Sequence, residues 1–289
     1  MQKRKLGKLL CFVLVFGLFM SITAAASAAN IRVLLANVTY ADIFVASGSY
    51  TVTGGADNSK SFSVSQGDKI SVKSENGSLA VSKNGDRQIT GGTSLAIDEK
   101  GSGLNLLQYN NVKYRGSGRF YAKGYLVNYL DIEEYLYGVV CKEMGYNRPA
   151  EAMKAQAVAS RSFAAYSISS SNNYYDITKS TQVYGGYTAE QAYDSSAVYS
   201  AVNKTAGEYV YYDNKLVQAF FSAHAGGYTE SNENVWNSSA IPYLRSVESS
   251  YDKVGTAYNS WTVTYTPEQM KNLAEKYMKT TGQSGSFGT

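Results

Sequence analysis

Among the side chains able to do chemistry, Glu143 is set apart by its spacing. It follows Ile132, Leu136, Val139 and Val140 at helical intervals, on the face an amphipathic helix turns inward. A carboxylate at the end of an apolar stripe is costly to bury in its charged form, so its pKa rises. A carboxylic acid that keeps its proton near neutral pH can act as a general acid. The C-terminal end of a helix pushes the same way, because its partial negative charge opposes a carboxylate. The competing reading is a Glu where the stripe frays, solvated or neutralised by Lys142 or Arg161.

Other reactive groups are few. Ser222 and His224 suggest a nucleophile and its base, but on a strand they stand ~6.6 Å apart, too far for a direct bond. The chain has two cysteines and one histidine. Cys11 falls in an N-terminal apolar run, so Cys141 alone cannot form an intramolecular disulfide or, with one His, a thiolate-rich zinc site. Neither metal nor cofactor is expected. Gln156 and Arg161 lie five residues apart on an alanine-rich segment and point to different faces. Arg161 suits either a substrate carboxylate or Glu143 itself, with an internal salt bridge as the alternative. Thr181-Gln182-Val183-Tyr184-Gly185-Gly186 offers hydroxyl, amide and phenol groups before a glycine turn. Such groups suit a sugar; a turn around a buried Tyr is the plainer reading. The 26 tyrosines, against 10 phenylalanines, are mostly ordinary core and strand residues that also satisfy a hydroxyl.

The elements that must position these groups are legible. Between residues 31 and 128, Ile31, Val33 and Leu35 alternate, as do Tyr50 and Val52, Phe62 and Val64, and Ile70 and Val72. Gly54-Gly55, Asn76-Gly77, Asn84-Gly85 and Asn110-Asn111 punctuate them as hairpin turns. Asp131 and Glu134 form a capping-box-like start, predicting a helix over 132–144 that Gly145 to Arg148 breaks. Pro149 is placed to open a second, alanine-rich helix. A loop over 169–173, a short helix over 198–205 and a hairpin of 208–212 with 216–222 around Asp213-Asn214 follow. A last helix over 267–278 precedes a Gly/Ser-rich tail, 282–289. The fold class expected is α+β: a β-rich part over 30–128, then a helical core with short strands over 129–281.

Composition limits the function. With 44% hydrophobic and 17% charged residues among 289, the chain is not a disordered one. Four of its 27 basic residues lie in the first eight positions; without them, 23 bases balance 23 acids. Nucleic-acid binding thus loses its electrostatic argument. That basic start, the apolar run Leu9 to Met20 and Ala26-Ser27-Ala28 read as a signal peptide over 1–29, with a retained anchor as the alternative. The protein is therefore expected to be exported, or anchored at the outer face of the cytoplasmic membrane.

Several blocks together resemble one family. They are 135–140 (YLYGVV), Glu143-Met144, 149–159 (PAEAMKAQAVA), 181–186 (TQVYGG), 226–230 (GGYTE), Val235-Trp236 and Pro242-Tyr243-Leu244. In this order they are similar to the stage II sporulation protein D family, over about residues 31–265. The resemblance implies a peptidoglycan lytic transglycosylase that uses the Glu of the Glu-Met pair, here Glu143, as catalytic acid. The glycan contacts expected are Gln156, Arg161, Thr181, Gln182, Tyr184, Gly226, Gly227 and Glu230, with close approach to a neighbouring strand as the alternative for Gly226-Gly227. Such an enzyme needs one carboxyl group rather than the usual two, because the substrate's own C6 hydroxyl replaces water. The family also has an amidase-enhancer branch, whose members bind the wall and stimulate an amidase. Peptidoglycan glycan strands are the partner implied in both cases, a cell-wall amidase in the second. His224, where the family usually has a small hydroxyl residue, departs from the pattern, and the chain stops short of strand-forming sequence that members commonly continue into.

Overall fold

A computed structural model describes residues 29–145, 148–169, 172–192, 194–253 and 262–281. The leader, apart from Ala29, and the tail lie outside them. Among the described residues, no helix is long and apolar enough to cross a membrane. The chain divides into two compact units, one up to Phe220 and one from Phe221.

The first unit begins with twelve strands: β1 (Asn30–Asn37), β2 (Tyr40–Ser47), β3 (Ser49–Gly54), β4 (Lys60–Ser65), β5 (Lys69–Glu75), β6 (Ser78–Lys83), β7 (Asp86–Thr90), β8 (Ser94–Lys100), β9 (Leu106–Tyr109), β10 (Val112–Tyr114), β11 (Ser117–Tyr121) and β12 (Tyr125–Asp131). Three of the four anticipated turn pairs close two-residue hairpins, at Asn76-Gly77, Asn84-Gly85 and Asn110-Asn111. All six of these residues have positive φ, as the hairpin turn matching strand twist requires. Gly54-Gly55 instead leads into a 3-10 turn, Ala56–Asn58, before β4.

With β13 (Ile177–Thr178), these strands form two sheets, ordered β13-β1-β12-β11-β8-β3-β4 and β10-β9-β2-β5-β6-β7. The pairings are antiparallel except β13 on β1. Period-two alternation sends Ile31, Val33 and Leu35 of β1 and Ala41, Ile43 and Val45 of β2 into one core. Residues of both sheets, among them Leu35, Ile43, Leu107 and Leu126, line a cavity of about 20 Å³ between them.

The helices follow directly. They are α1 (Ile132–Met144), α2 (Ala150–Ser169), α3 (Gly186–Gln191) and α4 (Ser196–Lys204). The class is α+β. Helix α1 starts where β12 ends, and its buried Ile132, Tyr135, Leu136, Val139 and Val140 join the sheets' core with Met153, Ala157 and Ala164 of α2. Gly138 permits a close approach: a Cβ there would stand 2.9 Å from the Tyr184 ring and 3.0 Å from the Gly186 nitrogen. The short helix expected over 198–205 starts at Ser196. The hairpin around Asp213-Asn214 is shorter than expected, only β14 (Tyr211–Tyr212) against β15 (Lys215–Leu216). Tyr211, Tyr212 and Lys215 are exposed, so little burial drives its extension.

The second unit contains α5 (Asn232–Trp236) and α6 (Pro267–Thr281). A bridge joins Tyr228 to Glu248. Arg245 braces α5, donating to both oxygens of Glu233 and, at 2.7 Å, to Asn232 Oδ1.

Candidate active site

Helix α1 carries carboxylates at both ends. At its start, Asp131 Oδ1 accepts from the Glu133 backbone N–H at 2.8 Å, an N-cap. The box anticipated with Glu134 does not close; the Glu134 carboxylate stands 3.8 Å from Arg115 Nη1 instead. Glu133 meets Arg161 of α2 in a two-pronged pair: Nε donates to Oε1 at 2.8 Å and Nη2 to Oε2 at 2.7 Å. The Arg161 side chain has no exposed area, and it also donates to the carbonyls of Val202 and Glu208 and to Thr205 Oγ1. A guanidinium so occupied braces α1, α2 and α4 and has no donor left for a sugar.

Glu143 is the opposite case. It lies in the last turn of α1, half-buried. Among the described residues, no hydrogen bond or ion pair engages its carboxylate. Neighbouring Lys142 is exposed. Burial holds the Glu143 carboxyl above the ordinary Glu pKa. The carboxylate in turn raises the pKa of the Tyr135 phenol, a smaller effect than that phenol's own burial.

Tyr135, on the same helix, holds another anticipated residue. Its hydroxyl donates to Gln182 Oε1 at 3.0 Å, and Gln182 Nε2 donates to the Ser160 carbonyl at 3.3 Å. Gln156 Nε2 reaches Ser160 Oγ at 2.9 Å. The structure therefore gathers Gln156 and Gln182 around Ser160, beside the Tyr135 phenol. Gln182 itself is buried, as is Tyr184, whose hydroxyl donates to Asn128 Oδ1 at 2.9 Å between the rings of Tyr114 and Tyr135. These two side chains anchor the 181–186 segment; they do not display it. Thr181 and Val183 face solvent. Val183 has φ 44°, a conformation costly for a β-branched residue and held here between two buried anchors.

Gly226, Gly227 and Glu230 belong to the second unit. Both glycines take positive φ. Glu230 Oε1 accepts from the Ser231 N–H at 2.7 Å and from Asn234 Nδ2 at 2.9 Å, which lowers its pKa and fixes the start of α5. Ser222 and His224 are not on a strand. Ser222 Oγ donates to the His224 carbonyl at 3.4 Å, and the Gly226 N–H donates to His224 Nδ1 at 3.0 Å. That leaves Nε2 as donor to the Asp252 carbonyl at 3.0 Å. The imidazole thus holds its own loop.

Cys141 is free and buried, its thiol pushed up to about 11 by desolvation. Among the described residues, no group of three or more His, Cys, Asp or Glu could hold a metal. Sequence reasoning missed Arg115, which chelates buried Glu190 at 2.7–3.0 Å under the Tyr137 and Tyr187 rings. Its only sequence signal is a charged residue between strands.

Residues 121–212, from β11 to the β14 hairpin, match the model of the stage II sporulation protein family. Over this stretch the chain is similar to that family. It is 34% identical over 161 residues to the stage II sporulation protein D of Bacillus amyloliquefaciens, covering 51% of this chain and 46% of that one. It is 37% identical over 136 residues to the amidase enhancer of Bacillus subtilis, covering 47% and 17%. An uncharacterized protein of Brachyspira hyodysenteriae is 34% identical over 184 residues, covering 62% and 49%. The chain thus spans about half the length of two of these relatives and less of the third.

Proposed function

We propose that this chain is an exported lytic transglycosylase that cuts the N-acetylmuramic acid to N-acetylglucosamine bond of peptidoglycan. The observation that carries the reading is the state of Glu143, half-buried, without a partner among the described residues and held above its ordinary pKa. The other carboxylates of α1, Glu133 and Glu134, both face arginines. In the proposed step, Glu143 gives its proton to the glycosidic oxygen as the bond from that oxygen to the muramic C1 breaks. The muramic C6 hydroxyl then bonds to C1 and returns its proton to Glu143. The products are a 1,6-anhydro end and a free C4 hydroxyl, with no water consumed. Gln156 and Thr181 remain the proposed glycan contacts of the first unit, and Gly226, Gly227 and Glu230 are proposed as wall contacts of the second unit taken by itself. Gln182 and Tyr184 act from beneath, by holding the segment that carries Thr181, and Arg161 acts as a brace.

One finding favours a second reading. The 37% identical relative is named an amidase enhancer, so a non-catalytic wall-binding role that stimulates a cell-wall amidase is the alternative. Mass spectrometry of purified glycan strands incubated with the protein separates the two. Anhydro-muramic ends are expected. Reducing ends would mean a hydrolase, and uncut strands with amidase stimulation would mean the enhancer.

A further inference from the structure

An open cleft in the first unit has a lining that packing alone does not explain. Alternation along β2 buries Ala41, Ile43 and Val45 and turns Tyr40, Asp42 and Phe44 outward. On a solvent face the two aromatic residues are 51% and 42% exposed, and Asp42 stands between them. Gln108 of β9 lies directly opposite Phe44, and the hairpin tip Asn110-Asn111 completes an open cleft of about 360 Å³.

The cleft is built, not a loose surface. Asp42 Oδ1 accepts from the Tyr40 hydroxyl at 2.7 Å and from Ser71 Oγ at 2.6 Å. The first bond fixes the Tyr40 ring. Among the described residues, Oδ2 faces only Lys69, at 3.6 Å, and keeps capacity to accept. Tyr40 and Phe44 lie four residues apart, ~13 Å along the strand, so the strip they bracket suits an elongated ligand.

The chemistry selects the ligand. Aromatic faces take the C–H faces of pyranose rings, while three carboxamides both donate to and accept from hydroxyl and acetamido groups. One carboxylate, its charge met by one lysine, disfavours a phosphate or other anion. We propose that this cleft is a non-catalytic subsite for a strand of β-1,4-linked N-acetylhexosamines. The proposal takes its ligand class from the peptidoglycan reading but is independent of the Glu143 chemistry.

The test uses the full chain carrying Glu143→Gln, titrated with the hexamer of β-1,4-linked N-acetylglucosamine and followed by backbone amide NMR. Shift changes are expected to cluster on residues 40–44 and 108–111. Tyr40→Ala and Phe44→Ala, added singly, should each weaken binding at least about tenfold, 1.4 kcal/mol, at unchanged melting temperature because both side chains are exposed. Changes confined to residues near position 143, an absence of changes, or an unaltered Kd in both variants would overturn the proposal. So would a muramyl stem peptide shifting these residues where the hexamer does not. Strand cleavage by the wild type is read separately: its absence would overturn the Glu143 reading and leave the cleft result standing.

Discussion

The two ends of helix α1 treat the same residue type in opposite ways. At the start, Asp131 caps the backbone, Glu133 is clasped by Arg161 and Glu134 leans on Arg115. The positive end of the helix and two arginines make negative charge welcome there. At the far end, Glu143 sits where the helix opposes a carboxylate, half-buried and with no partner among the described residues. A fold that satisfies acids ten residues away leaves this one unsatisfied, and an unsatisfied acid is the kind a proton transfer can use.

Breaking the satisfied end should cost the most stability. Arg161→Ala strands Glu133 and several carbonyls, and should lose ~3–5 kcal/mol in urea unfolding. A wild-type-like midpoint would mean that the pair is not the brace described. Closing the gap between α1 and the 181–186 segment comes next. Gly138→Ala pushes a methyl against Tyr184 and Gly186 and should cost ~1–3 kcal/mol, read from the thermal midpoint. Removing the cap with Asp131→Ala should cost ~1 kcal/mol in the same assay.

The smallest effect sharpens the comparison most. Because the folded pKa of Glu143 is raised, ionising it costs stability. The cost is absent below the pKa of an unfolded Glu, grows as pH rises towards the folded value, and is complete above it. Glu143→Gln should therefore match the wild type in acid and equal or exceed it near neutral pH. A mutant less stable at neutral pH would show that the carboxylate has a partner after all. Cleavage by the wild type should fall on the alkaline side as the same proton is lost.

Helix α1 was readable because its two signals are local: a capping acid before it, and apolar residues at a single period. The Asn-Gly and Asn-Asn turns were readable for the same reason, each being a backbone demand met by its own residues. The side chains of the 181–186 segment were not. Gln182 and Tyr184 look like display groups in sequence, and their burial depends on Asn128, Tyr135 and Ser160, which are 22 to 56 residues away. Arg161 was ambiguous for the same reason: its partner Glu133 lies 28 residues back, and no short-range pattern prefers it to Glu143. Helices α3 and α5, six and five residues long, are too short to show a period. The aromatic strip on β2 reads in sequence as ordinary alternation, and only the fold shows that its outer members border a cleft.

The central claim is that Glu143 is the proton donor, and the most direct test compares wild type with Glu143→Gln on purified glycan strands, counting 1,6-anhydro ends by mass spectrometry. Circular dichroism and the melting temperature establish that the variant is folded. The account expects a folded variant whose yield of anhydro ends falls by ~10²–10⁴-fold, the usual contribution of a general acid. A folded variant that produces anhydro ends at the wild-type rate would contradict it.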